Sequence, residues 1–218
     1  MRSNLLPEAI ALSGQTPGVE TQLRAPRFEF SAPLMRSLSD VETPRGPIAL
    51  IARPRFKRDW LEDPNVFVLV LDGLQDPGNV GTLVRTAEAA GVSGILLTRG
   101  CADPLSPKAL RASAGSAFRM PHVLDLRAEE LLTLLPARIK LAAAVSGTAA
   151  LSVFEATLTL PLALALGSEG SGLSARIEAA ASQRLRIPHA RKVESLNVAA
   201  AGAVILFEVA RQAGRLRF

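Results

Sequence analysis

Five polar residues, four of them in three loop-like stretches and one shortly after the first stretch, could together carry out a group-transfer reaction. Asn79 ends the first stretch, and Arg85 follows it by six residues. Glu169 stands among the glycines of the second, and Ser195 and Asn197 close the third. Such groups can orient a substrate hydroxyl and stabilise developing charge with a guanidinium. The stretches are DGLQDPGN (72–79), GSEGSGLS (167–174) and IPHARKVESLN (187–197).

Other kinds of catalytic and nucleotide-binding site lack their residues in this sequence. No G-x-G-x-x-G follows a strand-like run, which argues against a nucleotide-binding oxidoreductase, and no P-loop or G-x-S-x-G motif occurs. One cysteine, Cys101, and two histidines, His122 and His189, are too few for a zinc cage. With no Cys–His pair either, the sequence predicts neither metal nor covalent catalysis.

The elements that must position these loops alternate between apolar strand-like runs and helix-like segments. Apolar strands without polar alternation, separated by amphipathic helices, predict an α/β fold with a parallel sheet covered by helices on both faces. The predicted strands are 66–71, 94–98, 139–145, 162–167 and 184–188, and the predicted helices are 80–90, 107–113, 128–135, 174–181 and 197–212.

The three loops follow predicted strands, and this placement suggests a ligand site. In an open parallel sheet, ligands bind at the C-terminal ends of the strands. Each loop alone also fits a simple helix cap, formed by Asn79, Ser174 or Asn197. Three polar loops at one sheet edge favour a shared site over three unrelated caps.

Charge and composition are consistent with an anionic partner but do not establish one. The formal net charge is +5 at pH 7, and arginine forks match phosphate geometry. The same charge is also ordinary for a soluble protein of 218 residues. Aromatic residues make up only 4% of the chain, with no tyrosine, which argues against a base-stacking platform.

The first sixty residues differ from the rest because they are rich in proline and lack a sustained apolar period. We interpret residues 1–60 as an irregular segment or the remains of a small domain, and residues 61–218 as the α/β domain. No secretory leader and no membrane-spanning run is recognised. The single cysteine fits a reducing compartment, so a cytoplasmic location is predicted.

The three loops resemble, in order, the three motifs of the SpoU-type RNA 2′-O-ribose methyltransferases of the SPOUT superfamily. The matching segments are LDGLQDPGNVGTLVRTAEAAGVSGILLT, LALALGSEGSGLS and LRIPHARKVESLNVAAAGAVILFEVARQ. The segment DPLSPKALRASAGSAFRMP is similar to the linker between the first two motifs, and ETPRGPIALI (42–51) is similar to the junction that precedes the domain.

The resemblance implies a fold, a cofactor and an oligomeric state that periodicity alone cannot show. Members of this family have a parallel α/β sheet with a C-terminal trefoil knot, bind S-adenosylmethionine in that knot, and act as homodimers. By position in the motifs, Gly167, Ile187 and Leu196 correspond to residues whose backbone groups hold the cofactor. Gly147, in a VSGT turn, is a weaker candidate for the same pocket, and an ordinary turn glycine is the alternative.

The resemblance also implies roles for the five polar residues. Arg85 matches the arginine that activates the ribose 2′-hydroxyl. It acts either as a general base, which requires a strongly perturbed pKa, or as a group that stabilises the emerging alkoxide. Asn79 is expected to orient that arginine or the ribose, and Glu169 is expected to bond Arg85, Asn79 or amides of its loop. Ser195 and Asn197 are expected to hold the hydroxyl, with helix capping as the alternative for Asn197.

RNA contacts are predicted for three other basic residues, Arg111, Arg191 and Lys192, with a solvated surface as the alternative for each. His189 lies in the third loop and could contact substrate, whereas His122 is expected to be structural.

The chain departs from the family pattern in its N-terminal part, which is too short for the RNA-recognition domain that many members carry. The segment FEFSAPLMRSLSD is similar to the end of that domain, so residues 1–60 are interpreted as its remnant. The predicted activity is methylation of a ribose 2′-hydroxyl in rRNA or tRNA. A non-catalytic RNA-binding or ribosome-assembly protein is the alternative.

Overall fold

The computed structural model describes residues 7–12, 25–41, 46–147, 149–191 and 195–216. These residues divide into two units, the first ending at Arg55 and the second beginning at Phe56. The predicted division after residue 60 lies inside the second unit. There Trp60, in a short 3-10 helix, packs its ring against Gly94 of the α/β domain.

The first unit contains a small mixed sheet. Strand β1 (Pro7–Leu12) lies in the middle, parallel to β2 (Arg27–Glu29) and antiparallel to β3 (Ile48–Ile51), and helix α1 spans Ala32–Leu38. The region that composition marks as irregular therefore retains regular structure. The junction segment ETPRGPIALI lies partly outside the described residues, at 42–45.

The second unit is an α/β domain with a seven-stranded sheet. Its strands are β4 (Phe67–Asp72), β5 (Gly94–Thr98), β6 (His122–Leu126), β7 (Lys140–Ala144), β8 (Leu151–Ser152), β9 (Leu162–Gly167) and β10 (Gln183–Arg186). The order across the sheet is β6-β5-β4-β9-β7-β10-β8, and all the pairings between these strands are parallel. The predicted α/β class with a parallel sheet is confirmed.

Helices cover both faces of this sheet, as predicted. Alternate residues of β4 belong to two different apolar clusters, one containing Phe67, Leu69 and Leu71 and the other Val68 and Val70. Because successive side chains of a strand point to opposite faces, this alternation means that both faces are buried. Helices α2 (Pro77–Ala89) and α6 (Val198–Gln212) pack on the first cluster, and α4 (Ala128–Leu134) and α5 (Ala175–Ala180) pack on the second.

Two glycines allow helices to approach their neighbours closely around the first cluster. A Cβ atom at Gly81 of α2 would lie 2.3 Å from the carbonyl oxygen of Ala109 in α3 (Pro107–Ser113). A Cβ atom at Gly202 of α6 would lie 2.4 Å from Cδ2 of Leu83 in α2. Both positions require glycine for packing. Together they hold α3 and α6 against α2, the helix that follows the first polar loop.

The strands and helices predicted from periodicity are present, with ends shifted by a few residues at most, but two strands of the α/β domain were not predicted. Strand β6 lies at the sheet edge with mostly half-buried residues, and β8 contains only two residues. Neither has the continuous apolar run that marks the central strands, because an edge strand is covered less completely. Helix α2 begins at Pro77, three residues before its predicted start at Val80.

Candidate functional site

A cavity of about 640 Å³ opens at the C-terminal ends of β7, β9 and β10. Its walls come from the loops that follow these strands and from the start of α6. The cavity therefore lies at the C-terminal ends of the strands, where open α/β folds bind their ligands. The volume is in the range of a small-molecule site. Predicted site residues that line it are Gly147, Gly167, Glu169, Ile187, Ser195 and Leu196.

All four residues expected to bind a cofactor therefore lie on one cavity. Ile187 and Leu196 come from the third loop and offer backbone groups beside apolar side chains. Gly147 has a φ of 144°, a backbone conformation that favours glycine. The turn alone is therefore a sufficient reason for glycine at this position, without a ligand.

Gly167 has a structural role that the sequence did not indicate. A Cβ atom there would lie 2.1 Å from the carbonyl carbon of Gly172 and 2.3 Å from the backbone nitrogen of Leu173. The loop folds back over Gly167, and Ser168 and Gly172 exchange backbone hydrogen bonds of 3.1 and 2.9 Å. The loop can therefore close over residue 167 only because this residue is a glycine, whether or not a ligand is bound.

Three of the predicted catalytic side chains form one hydrogen-bonded cluster. Asn79 Nδ2 donates to Glu169 Oε1 at 2.7 Å, and Asn197 Nδ2 donates to the same oxygen at 2.9 Å. Asn197 Nδ2 also lies 3.1 Å from Asn79 Oδ1. Glu169 accepts both bonds on its Oε1 oxygen. Its Oε2 oxygen makes no hydrogen bond to any of the described residues. The cluster joins all three polar loops.

The capping interpretation is wrong for Asn79 and correct but incomplete for Asn197. Asp76, not Asn79, caps α2 by accepting from the backbone nitrogen of Gly78 at 2.7 Å. Asn197 caps α6, since its Oδ1 accepts from two backbone nitrogens of the first turn at 3.0 and 3.2 Å. Its amide nitrogen meanwhile bonds the cluster, so one side chain serves both purposes.

The Asp76 cap is tied to the neighbouring helix by an ion pair. Lys108 of α3 donates from Nζ to Asp76 Oδ1 at 2.8 Å. This hydrogen bond, followed by the one from Gly78, lowers the pKa of the Asp76 carboxyl below its usual value. Both side chains are exposed, so the pair orients the loop more than it stabilises the fold.

Asp72 is a buried acidic residue beside the site that the sequence patterns did not single out. It ends β4 and is only 7% exposed. Thr98 donates its hydroxyl to Asp72 Oδ1 at 2.8 Å, and the backbone nitrogen of Ser174 donates to Oδ2 at 2.6 Å. Ser174 precedes α5 as its cap residue, but its side chain makes no capping bond. The available signal was an acidic residue directly after an unbroken apolar strand.

Arg85 lies apart from the cavity in this chain. Its side chain is exposed on α2, and it is not among the residues that line the cavity. Within the described part of the chain no hydrogen bond or ion pair holds its guanidinium. In the single chain, Arg85 therefore belongs neither to the cavity nor to the hydrogen-bonded cluster.

The predicted RNA-contacting residues lie outside the cavity or outside the described residues. Arg111 of α3 and Arg191 are exposed and do not line the cavity, and Lys192 is not among the described residues. His189 does line the cavity. His122 packs its ring 4.9 Å from the ring of Phe56, and its Nδ1 lies 2.9 Å from the carbonyl oxygen of Met120, which agrees with a structural role.

Cys101 is a structural thiol in this arrangement. Its sulfur accepts from the backbone nitrogen of Leu74 and donates to the carbonyl oxygen of Leu71, each at 3.3 Å. Burial raises the pKa of the Cys101 thiol, which disfavours the nucleophilic thiolate.

A known protein family matches the part of the chain that contains the three polar loops. The model of the SpoU rRNA Methylase family matches residues 66–207, which include all three polar loops. The chain belongs to this family. The resemblance inferred from the three motifs is confirmed.

Individual relatives extend the match over most of the chain. An uncharacterised tRNA/rRNA methyltransferase of Synechocystis is 39% identical over 85% of this chain and 67% of its own length. The 23S rRNA (guanosine-2′-O-)-methyltransferase RlmB of Yersinia pestis is 34% identical over 76% of this chain and 71% of its own.

The fold is also shared with a solved enzyme of this family. The SpoU methyltransferase AviRb from Streptomyces viridochromogenes, solved in complex with AdoMet, superposes with a TM-score of 0.84. It is 25% identical, and the match covers 96% of this chain and 84% of AviRb.

The described residues hold neither a candidate metal centre nor a candidate membrane span. No cluster of three or more His, Cys, Asp or Glu side chains among them is arranged to hold a metal ion. Among the helices of those residues, none combines the length and apolar composition needed to cross a bilayer.

Proposed function

We propose that this family member transfers a methyl group from S-adenosylmethionine to the 2′-hydroxyl of a ribose in rRNA. The observation that carries the proposal is the family match over 66–207 together with a cavity built from the same motifs. Relatives named as rRNA 2′-O-methyltransferases support the substrate class, and the AdoMet complex of AviRb supports the cofactor. The chain is thus a transferase of the kind that the sequence predicts.

The cavity fits the proposed cofactor in size and in the groups that it presents. Backbone groups of Gly167, Ile187 and Leu196 can hydrogen-bond an adenine edge, and the apolar side chains of Ile187 and Leu196 can pack on the ring. When bound, the cofactor supplies an electrophilic methyl group on a sulfonium. The folded-back loop after Gly167 closes one side of the cavity and brings Glu169 to its rim.

The hydrogen-bonded cluster is proposed to hold the ribose in line for transfer. Glu169 is held by two amide donors, Asn79 and Asn197, so its free oxygen keeps a defined direction. Ser195 lies on the cavity wall and can donate to the ribose. Arg85, which does not line the cavity of its own chain, is proposed to reach the RNA in the homodimer, and there either to accept the hydroxyl proton or to stabilise the alkoxide.

Incubation of the purified protein with radiolabelled S-adenosylmethionine and rRNA lacking the modification is expected to give label in RNA. Mass-spectrometric mapping of ribose methylation in RNA from cells without the gene should identify the same nucleotide as unmodified. Unmodified tRNA serves as the parallel substrate. If the protein binds rRNA tightly but transfers no methyl group to either RNA, the proposal fails and the non-catalytic RNA-binding alternative stands.

A homodimer is also proposed, as the resemblance implies, and the exposed side of α6 supports it. Val204 and Phe207 are 36% and 40% exposed there, although α6 is the most apolar helix of the domain. Large apolar side chains left exposed one turn apart on a helix are typical of a protein–protein contact.

Light scattering is expected to give about twice the chain mass of 23.0 kDa at micromolar concentration. Phe207→Glu should shift the mass to that of one chain, because a carboxylate would be buried in the contact. Thr133→Glu is the matched control, since Thr133 is exposed on α4, which packs on the opposite face of the sheet from α6. A wild-type monomer that still transfers methyl groups would contradict the dimer.

The trefoil knot and the cytoplasmic location stay predictions. The path of the chain supports the knot. Strand β10 lies between β7 and β8 and pairs with both, and the next element, helix α6, packs on α2 and β9 on the other side of β7. Such a return of the chain past β9 is what a knotted C-terminal segment requires.

A further inference from the structure

We propose that Asp72 is a positioning residue that sets the geometry of residues 168–173, called the cofactor loop below, an inference that rests on the proposed function. It connects three segments that belong to different parts of the chain. Its two carboxylate oxygens bond Thr98 at the end of β5 and the backbone of Ser174 at the start of α5. Asp72 itself ends β4 and precedes the loop that carries Asn79.

The hydrogen-bond pattern around Asp72 requires two acceptors. The Thr98 hydroxyl oxygen accepts from the backbone nitrogen of Gly73 at 3.0 Å, so its own hydrogen is directed to Asp72. The backbone nitrogen of Ser174 can only donate. A carboxylate satisfies both donors, one on each oxygen. Because Asp72 is only 7% exposed, water cannot easily take the place of its carboxylate. A buried donor left without an acceptor would lower the stability of the fold.

The bond to Ser174 lies at the far end of the loop that follows Gly167. At the near end, β9 pairs directly with β4, and Gly167 lies opposite Asp72 in the register. Residues 168–173 are therefore fastened at both ends to the C-terminal end of β4. This loop carries Glu169 and lines the cavity over most of its length.

Asp72 consequently controls how far Glu169 lies from Asn79. The two side chains belong to loops that leave neighbouring strands, and their 2.7 Å contact depends on the relative position of those loops. Asp72 touches neither the cluster nor the cavity, so it acts through the loop. Its predicted effects are on cofactor affinity and loop protection first, and on turnover second.

Three substitutions test this role. Asp72→Ala removes both acceptors. Asp72→Asn keeps one oxygen that can accept from the backbone nitrogen of Ser174. Its amide nitrogen then faces Thr98, whose hydroxyl hydrogen can turn toward the carbonyl oxygen of Arg99. Ser93→Ala is the matched control. The Ser93 hydroxyl accepts from the backbone nitrogen of Phe67 at the opposite end of β4, so the substitution removes one side-chain acceptor of the same strand far from the loop.

Asp72→Ala is expected to bind S-adenosylhomocysteine about tenfold more weakly in calorimetry, because the loop loses one of its two attachments. Hydrogen–deuterium exchange of the unliganded protein should show faster exchange for 168–174. Asp72→Asn should recover most of the affinity and protection. Ser93→Ala should lower the melting temperature less than Asp72→Ala, because it removes one acceptor and not two, and should leave affinity and exchange of 168–174 at wild-type values.

The proposal is overturned if Asp72→Ala lowers the melting temperature while its affinity and loop exchange match those of Ser93→Ala. Failure of the wild-type protein to bind S-adenosylhomocysteine would instead contradict the proposed function. In that case the exchange comparison alone still decides whether Asp72 fastens the loop, so the two failures are distinguishable.

Discussion

Replacement of Arg85 by alanine is expected to reduce methyl transfer by about a thousandfold, while cofactor affinity stays within a few-fold of wild type. The two effects separate because Arg85 lies on the exposed side of α2 and does not line the cavity. Loss of an exposed side chain without partners among the described residues should also leave the melting temperature unchanged. Single-turnover transfer from labelled cofactor and calorimetry measure the two quantities.

Arg85→Lys distinguishes the two chemical roles left open for this residue. If Arg85 stabilises charge, the lysine variant keeps the charge and should retain more activity than the alanine variant at neutral pH. If it accepts the proton, the lysine variant should gain rate as pH rises toward the lysine pKa of about 10.4.

Arg176→Ala is the control for loss of one exposed positive charge. Arg176 lies on α5, on the opposite face of the sheet from α2; its Nε is 3.6 Å from Glu129 Oε1, and it does not line the cavity. Its removal should change transfer only slightly. Transfer at the wild-type rate by Arg85→Ala would remove Arg85 from the proposed site.

Gly167→Ala is expected to weaken cofactor binding by about a hundredfold or more, the second large effect that the structure predicts. The added methyl would lie 2.1 to 2.3 Å from the carbonyl carbon and oxygen of Gly172 and the nitrogen of Leu173. All three are backbone atoms, so no side chain can turn away to relieve the overlap. The loop must open, and the wall of the cavity opens with it.

Gly170→Ala is a matched control for this substitution. It places the same methyl group in the same loop, but no atom lies within 4 Å of the new Cβ, and the backbone there does not require glycine. Binding of S-adenosylhomocysteine to this variant should match the wild type. Equal affinities for Gly167→Ala and the wild type would show that the loop does not form the cofactor site.

The elements of the α/β domain could be predicted from sequence because its central strands are buried on both faces. An unbroken apolar run such as that of β4 or β9, flanked by helical patterns, is typical of a strand inside a parallel sheet. The edge strands β6 and β8 lack this signal because they are covered less completely. Regular structure in the N-terminal unit was hidden by proline-rich composition.

The candidate site was predicted in its residue types but not in its connections. Asn79 and Glu169 are 90 residues apart in sequence and 2.7 Å apart in the fold. Spacing could place each at the end of a strand but could not show that they share a bond. The sequence also could not distinguish a cap from a catalytic group, and Asp76 takes the capping position that Asn79 was considered for.

The sequence by itself determined the class of fold, the edge of the sheet that bears the site, and the family. These properties depend on local patterns along the chain, such as apolar periodicity and the order of three motifs. The pairing of β9 with β4 decided the rest, because it aligns Gly167 with Asp72 and fastens the cofactor loop beside Asn79. Strand pairing joins residues that are distant in sequence, so only the tertiary structure could show it.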